Sequence, residues 1–181
     1  MQYLALLRGI NVGGKNIVRM AELRLCLEEM GFADVATYIQ SGNALFAALR
    51  QKRGELARSI ESQLGKRFGT ELKIVLVSAN ELRAVVEGAP EGFGGEDHLC
   101  DVIFLRKPLT VKRAMSLIEP KEGVDEVWPG RGVLYFSRLA AKASSSRLAK
   151  MASRPEYREM TVRSWSTTTK LLGLIESRDG A

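Results

Sequence analysis

The residues best placed for chemistry lie near the start of the chain. Arg8-Gly9-Ile10-Asn11-Val12-Gly13-Gly14-Lys15-Asn16 combines two cations, two amide side chains and three glycines within nine positions. A glycine-rich turn between a strand and a helix can aim several main-chain N–H groups at one anion. Arg8, Asn11, Gly13, Gly14, Lys15 and Asn16 are therefore the candidate ligands for a phosphate or carboxylate, with Arg8 as a fork and Lys15 as a point charge. The same composition also builds an ordinary turn, with glycines at positive φ and asparagines bonded to their own backbone. The spacing fits G-x-x-x-x-G-K but continues with Asn16, where a nucleotide-binding P-loop places the Ser or Thr that reaches magnesium. A nucleoside triphosphatase is disfavoured on that ground.

Two further clusters are secondary candidates. Gln40-Ser41-Gly42-Asn43 offers Ser41 and Asn43, but the spacing reads first as a two-residue hairpin turn. That turn is expected near the start of the first strand, away from Arg8. Arg163, Thr167 and Lys170 flank a run of hydroxyls where a strand meets a helix, with Ser166 or Thr167 as the expected cap. Ser41 has no evident base, because His98 is the single histidine. Cys26 and Cys100 lie far apart without a CxxC pair, so neither a zinc site nor a disulfide is expected. Cys26 reads as a small buried helix residue. With no recognisable base, nucleophile or metal site, no reaction class and no cofactor are assigned.

The net charge of +6 is concentrated. Residues 138–170 carry eight basic and two acidic side chains, which accounts for the whole excess. Lys142, Arg147, Lys150, Arg154 and Arg158 make this segment the candidate for a nucleic-acid footprint, the alternative to small-anion binding. The aromatic signature of a base-stacking sheet is absent; Tyr135 and Phe136 are adjacent and point to opposite faces.

The elements that must position these residues follow from periodicity. Residues 2–8 read as a buried strand, 21–30 as a helix with Leu23 and Leu27 inward, 35–40 and 43–46 as a hairpin, 52–68 as a helix, and 73–77 as a strand. A helix capped by Ser78 or Asn80 follows. Four glycines and Pro90 in residues 88–96 read as a linker or mobile loop. The order then repeats: strand 101–105, helix 110–118, strands 124–128 and 133–136, a basic region with Leu148 and Met151 at helical spacing, strand 161–165 and helix 166–176. The fold class is α+β: two ferredoxin-like, split βαβ units in tandem, each an antiparallel sheet covered by helices, plus a C-terminal helix. The expected organisation is 1–88, a linker at 89–98, and 99–181. No apolar run approaches the roughly 18 residues that span a bilayer, and the start lacks the features of a secretory signal, so a cytoplasmic monomer or homodimer is expected. An oligomeric scaffold using a sheet edge is a further alternative.

The residues Leu6 to Asn16, Met20, Leu23 and Thr37-Tyr38-Ile39-Gln40-Ser41-Gly42-Asn43 resemble the bacterial domain-of-unknown-function family numbered 1697. The likeness continues through Met160 to Trp165 and Thr167 to Leu171. It implies a two-part α+β fold with ferredoxin-like halves and no established activity. Ser164 and Ser166 stand where the family motif typically has asparagines, and Gly88 to Phe93 stands where it often has Asn-Pro-Phe.

Overall fold

The computed structural model describes residues 1–11, 13–14 and 16–179. Two four-stranded antiparallel sheets organise the chain. The first has the order β2-β3-β1-β4, from β1 (Gln2–Arg8), β2 (Ala33–Tyr38), β3 (Asn43–Ala47) and β4 (Lys73–Ser78). The second repeats it as β6-β7-β5-β8, from β5 (His98–Leu105), β6 (Asp125–Pro129), β7 (Val133–Leu139) and β8 (Met160–Ser164). This is the ferredoxin-like order used twice, as the repeating element pattern anticipates.

Alternation along β1 sorts its side chains. Tyr3, Ala5 and Leu7 enter a core with Leu23, Cys26 and Leu27 of α1 (Met20–Glu29) and Leu56, Ile60 and Leu64 of α2 (Arg53–Phe68). Leu4 and Leu6, on the other face, are also fully buried. In the second sheet Ile103, Leu134, Phe136 and Met160 pack with Ala114 and Leu117 near α4 (Val111–Met115) and Met151 of α5 (Leu148–Met151).

Each fourth strand runs directly into a helix. β4 enters α3 (Ala79–Glu87) through a capping box, in which Ser78 N–H and Oγ–H both donate to Glu81 Oε2 while Glu81 N–H reaches Ser78 Oγ. β8 enters α6 (Trp165–Asp179), capped by Ser164, whose Oγ accepts from Thr167 N–H. The cap is thus Ser164 rather than Ser166 or Thr167, because β8 ends one residue earlier than its apolar pattern indicates. Residues Met1–Leu82 with Leu171–Ala181 make one compact unit, and Arg83–Lys170 the other. Among the described residues no helix is long and apolar enough to cross a membrane.

Two local expectations need correction. The hairpin turn is four residues long, Ile39 to Gly42, with Ile39 at φ 49° and Gly42 at φ 78°. Residues 140–159 of the basic segment hold no sustained helix; 3₁₀ turns at 140–145 and 155–159 flank the single-turn α5, and only residues 165–170 belong to a long helix, α6. The glycine-rich segment 88–96, expected as a linker or mobile loop, carries an aromatic contact. Phe93 meets Trp165, Tyr135 and Trp128 edge-on at centroid distances of 5.1, 5.4 and 6.1 Å. Gly94, at φ 94°, leaves no room for a Cβ beside the Trp165 ring. Gly94 thus admits a close aromatic approach.

Candidate functional site

The loop after β1 and the hairpin turn after β2 form one corner. β1 and β3 are antiparallel with Leu6 opposite Asn43, so the start of β3 lies beside the end of β1. The 39–42 turn therefore borders Leu7 and Arg8, contrary to the expectation that it sits at the opposite end of β1. Antiparallel pairing decides this: the turn that opens β3 must meet the residues that close β1. Leu7 N–H donates to Gly42 O at 2.8 Å. A Cβ at Gly42 would sit 2.5 Å from Ile10 Cδ1 and 2.8 Å from Leu7 Cβ, so the turn and the loop interlock.

Asn11 is the clasp. Its Oδ1 accepts from Val18 N–H at 2.9 Å, and its Nδ2 donates to Val18 O at 3.0 Å and Gln40 O at 2.8 Å. Its own N–H donates to Asn16 O at 3.1 Å. Asn16 Nδ2 closes the ring on Gly9 O at 3.0 Å. Both asparagine side chains donate within this corner, and Asn16, which is exposed, also accepts from Thr70 Oγ1 at 3.5 Å. Their left-handed backbones, at φ 54° and 49°, explain the choice of asparagine, which tolerates that region. Asn43, fully buried, likewise turns inward, donating to Tyr38 O at 2.9 Å and Ser41 Oγ at 3.0 Å.

What the loop leaves outside is its tip. Gly13 and Gly14, at φ 57° and 73°, are exposed, and among the described residues their N–H groups meet no acceptor. Arg8 ends β1 half-buried, with Lys73 as its register partner on β4. Lys15 lies outside the described residues.

The other candidates are dispersed. Arg163 is buried, donates to Val162 O at 2.8 Å, and has its guanidinium pKa pushed down to about 10 by loss of hydration. Thr167 accepts from Ser164 Oγ at 2.9 Å within the α6 cap, and Lys170 is exposed on the same helix. In the basic segment, Arg138 pairs with Asp101, Arg154 with Glu119 at 3.1 Å, and Arg158 with Glu159 at 3.5 Å. Two of those carboxylates come from outside residues 138–170, so part of the charge excess is neutralised by partners distant in sequence. Lys142, Arg147 and Lys150 have no acidic partner among the described residues. Burial pushes the Cys26 thiol up, opposed by the Arg67 charge, with a smaller upward push from Glu29. It is a packing residue of the first core, as its helix position suggests.

A family model described as "protein of unknown function (DUF1697)" matches residues 1–135. The chain belongs to this family. Among solved structures, it is similar to the conserved bacterial protein SP0830 from Streptococcus pneumoniae, at 26% identity and a TM-score of 0.85, covering 96% of this chain and 98% of that one. No curated protein matches the sequence.

The DUF1697 match spans both arms of the clasped corner and stops before the basic segment. The fold places the two family-like motifs against one another, which accounts for their asparagines and for Gly42 as parts of one joint. Sequence reading misses Gln40 and Val18, whose contribution is main-chain carbonyl and amide alone and leaves no mark on residue type. It also misses the strained Ile39, a β-branched residue at positive φ and about half exposed at 48%.

Proposed function

We propose that this is a cytoplasmic binding module for an anionic small molecule, phosphate-bearing or carboxylate, held at the tip of the loop between β1 and α1. The supporting observation is the pair of exposed Gly13 and Gly14 N–H groups carried on a loop that Asn11 and Asn16 clasp from within. Preorganisation of this kind spares a ligand the cost of ordering the loop. Arg8, which ends β1, and Lys15, the residue after Gly14, supply charge to the same anion. Asn11 and Asn16 shape the loop and make no contact with the ligand.

The test is calorimetric titration of inorganic phosphate, nucleotides and di- and tricarboxylates into the full chain, its Arg8→Ala form and its Lys15→Ala form. Saturable binding by the parent, weakened roughly fivefold or more in each variant, supports the assignment. Equal heats for parent and both variants overturn it.

A further inference from the structure

The Arg83–Lys170 unit has a cavity of its own, built from residues distant in sequence from the loop. A cavity of about 400 Å³ opens between the end of α4 and α5. That volume falls in the range of about 300–1,000 Å³ typical of small-molecule sites. Its inner wall is apolar: Leu117 and Met151 are buried, and Leu148 is half-buried. Its rim is cationic, with Arg147, Lys150 and Arg154. Only Arg154 is spoken for, by Glu119, which also lines the cavity. Arg147 and Lys150 are exposed and face no carboxylate among the described residues.

The rim is fixed by a buried carboxylate. Asp125 Oδ2 accepts from Arg147 N–H at 2.8 Å and from Lys121 N–H at 3.0 Å, tying the chain before α5 to the start of β6. The cations are thus carried at the mouth of an apolar hollow, not spread along a helix face as a polyanion track would have them.

We infer that this cavity binds an amphiphilic organic anion, a carboxylate or phosphate monoester on an apolar body the size of a short acyl chain or one aromatic ring. The apolar part replaces water against Leu117, Leu148 and Met151, and the head group meets Arg147 and Lys150 at the mouth. Charge complementarity selects this occupant. An uncharged body leaves both cations unpaired, and a bare inorganic ion leaves the apolar wall wet.

The test uses the full chain with octanoate, phenyl phosphate, octanol and inorganic phosphate, read by calorimetry. Octanoate and phenyl phosphate are expected to saturate, with octanol and inorganic phosphate at least about tenfold weaker. The double variant Arg147→Gln/Lys150→Gln, both on exposed positions, is expected to lose roughly tenfold for octanoate and nothing for octanol. Ser153→Trp, an exposed lining position, is expected to fill the hollow and abolish binding of both, with circular dichroism unchanged. Arg8→Ala is expected to leave octanoate binding untouched, which separates this site from the loop. Absence of octanoate and phenyl phosphate binding overturns the inference. So does octanoate bound no better than octanol, or a double variant that binds octanoate as the parent does. Retention of a single-stranded oligonucleotide by the parent without octanoate binding assigns these cations to nucleic acid instead.

Discussion

At the scale of single residues, the corner rests on atoms rather than on composition. Gly42 has a positive φ and no space for a methyl group, so Gly42→Ala is expected to destabilise the protein by about 2–4 kcal/mol in urea denaturation. Asn11→Ala removes three side-chain hydrogen bonds and strands the amide and carbonyl of Val18, for an expected loss of about 2–3 kcal/mol. Asn11→Asp keeps the Val18 N–H contact but loses both donations, so it falls between parent and alanine. A loop whose asparagines instead faced a ligand would tolerate all of these changes with little loss of stability. Cys26 and Cys100 are both buried, and Cys26 is held protonated by desolvation. Neither is expected to react with a thiol reagent on the minute timescale without denaturant.

Elements carry the next level of prediction. Ser164 caps α6 through Thr167 N–H, so Ser164→Ala is expected to cost about 1 kcal/mol, while Ser164→Asn restores the cap. Serine and asparagine are both good caps, so either residue at that position serves the helix start. The element order was legible because strand and helix periods alternate cleanly and Gly31 and Gly69 stop α1 and α2. Where legibility failed, the missing information was tertiary. The direction of β3 against β1, which brings Ser41 and Gly42 to Arg8, follows from pairing and leaves no trace in local spacing. Glycine has two uses, freedom and close approach, and at Gly94 the contact with Trp165 beside Phe93 shows the second. Leu148 and Met151 carry a helical spacing, yet they sit on one isolated turn whose backbone is organised by Asp125, 22 residues from Arg147 in sequence.

Over the whole molecule, charge and acid stability provide the levers. Asp125 is buried, which raises its pKa, but the Arg147 and Lys121 N–H groups and the Ser146 hydroxyl outweigh burial and hold it below the usual carboxylate range. Glu81 behaves alike: burial opposes ionisation, and the Ser78 amide and hydroxyl with Arg53 overcome it. A depressed folded-state pKa contributes stability that is complete above the unfolded-state value and disappears as pH falls toward the folded one. Stability is therefore expected to be level above about pH 5 and to fall below about pH 4. Asp125→Asn is expected to lose about 1–2 kcal/mol at neutral pH, with the gap from the parent closing in acid. Urea midpoints at pH 7 and pH 3 check the sign; a gap that widens in acid contradicts it. The basic excess of residues 138–170, partly cancelled by Asp101 and Glu119, leaves a modest local field, so any retention by nucleic acid is expected to vanish at moderate salt.

The most direct measurement is on the backbone of the glycine loop. Amide resonances of Gly13 and Gly14 are followed by heteronuclear NMR during a phosphate titration at constant ionic strength. They are predicted to move together along one saturating curve, flattened in Arg8→Ala and Lys15→Ala, while Asn11 and Asn16 side-chain amides stay in place. Glycine amides that do not move, or that move identically in all three proteins, contradict an anion site at this corner.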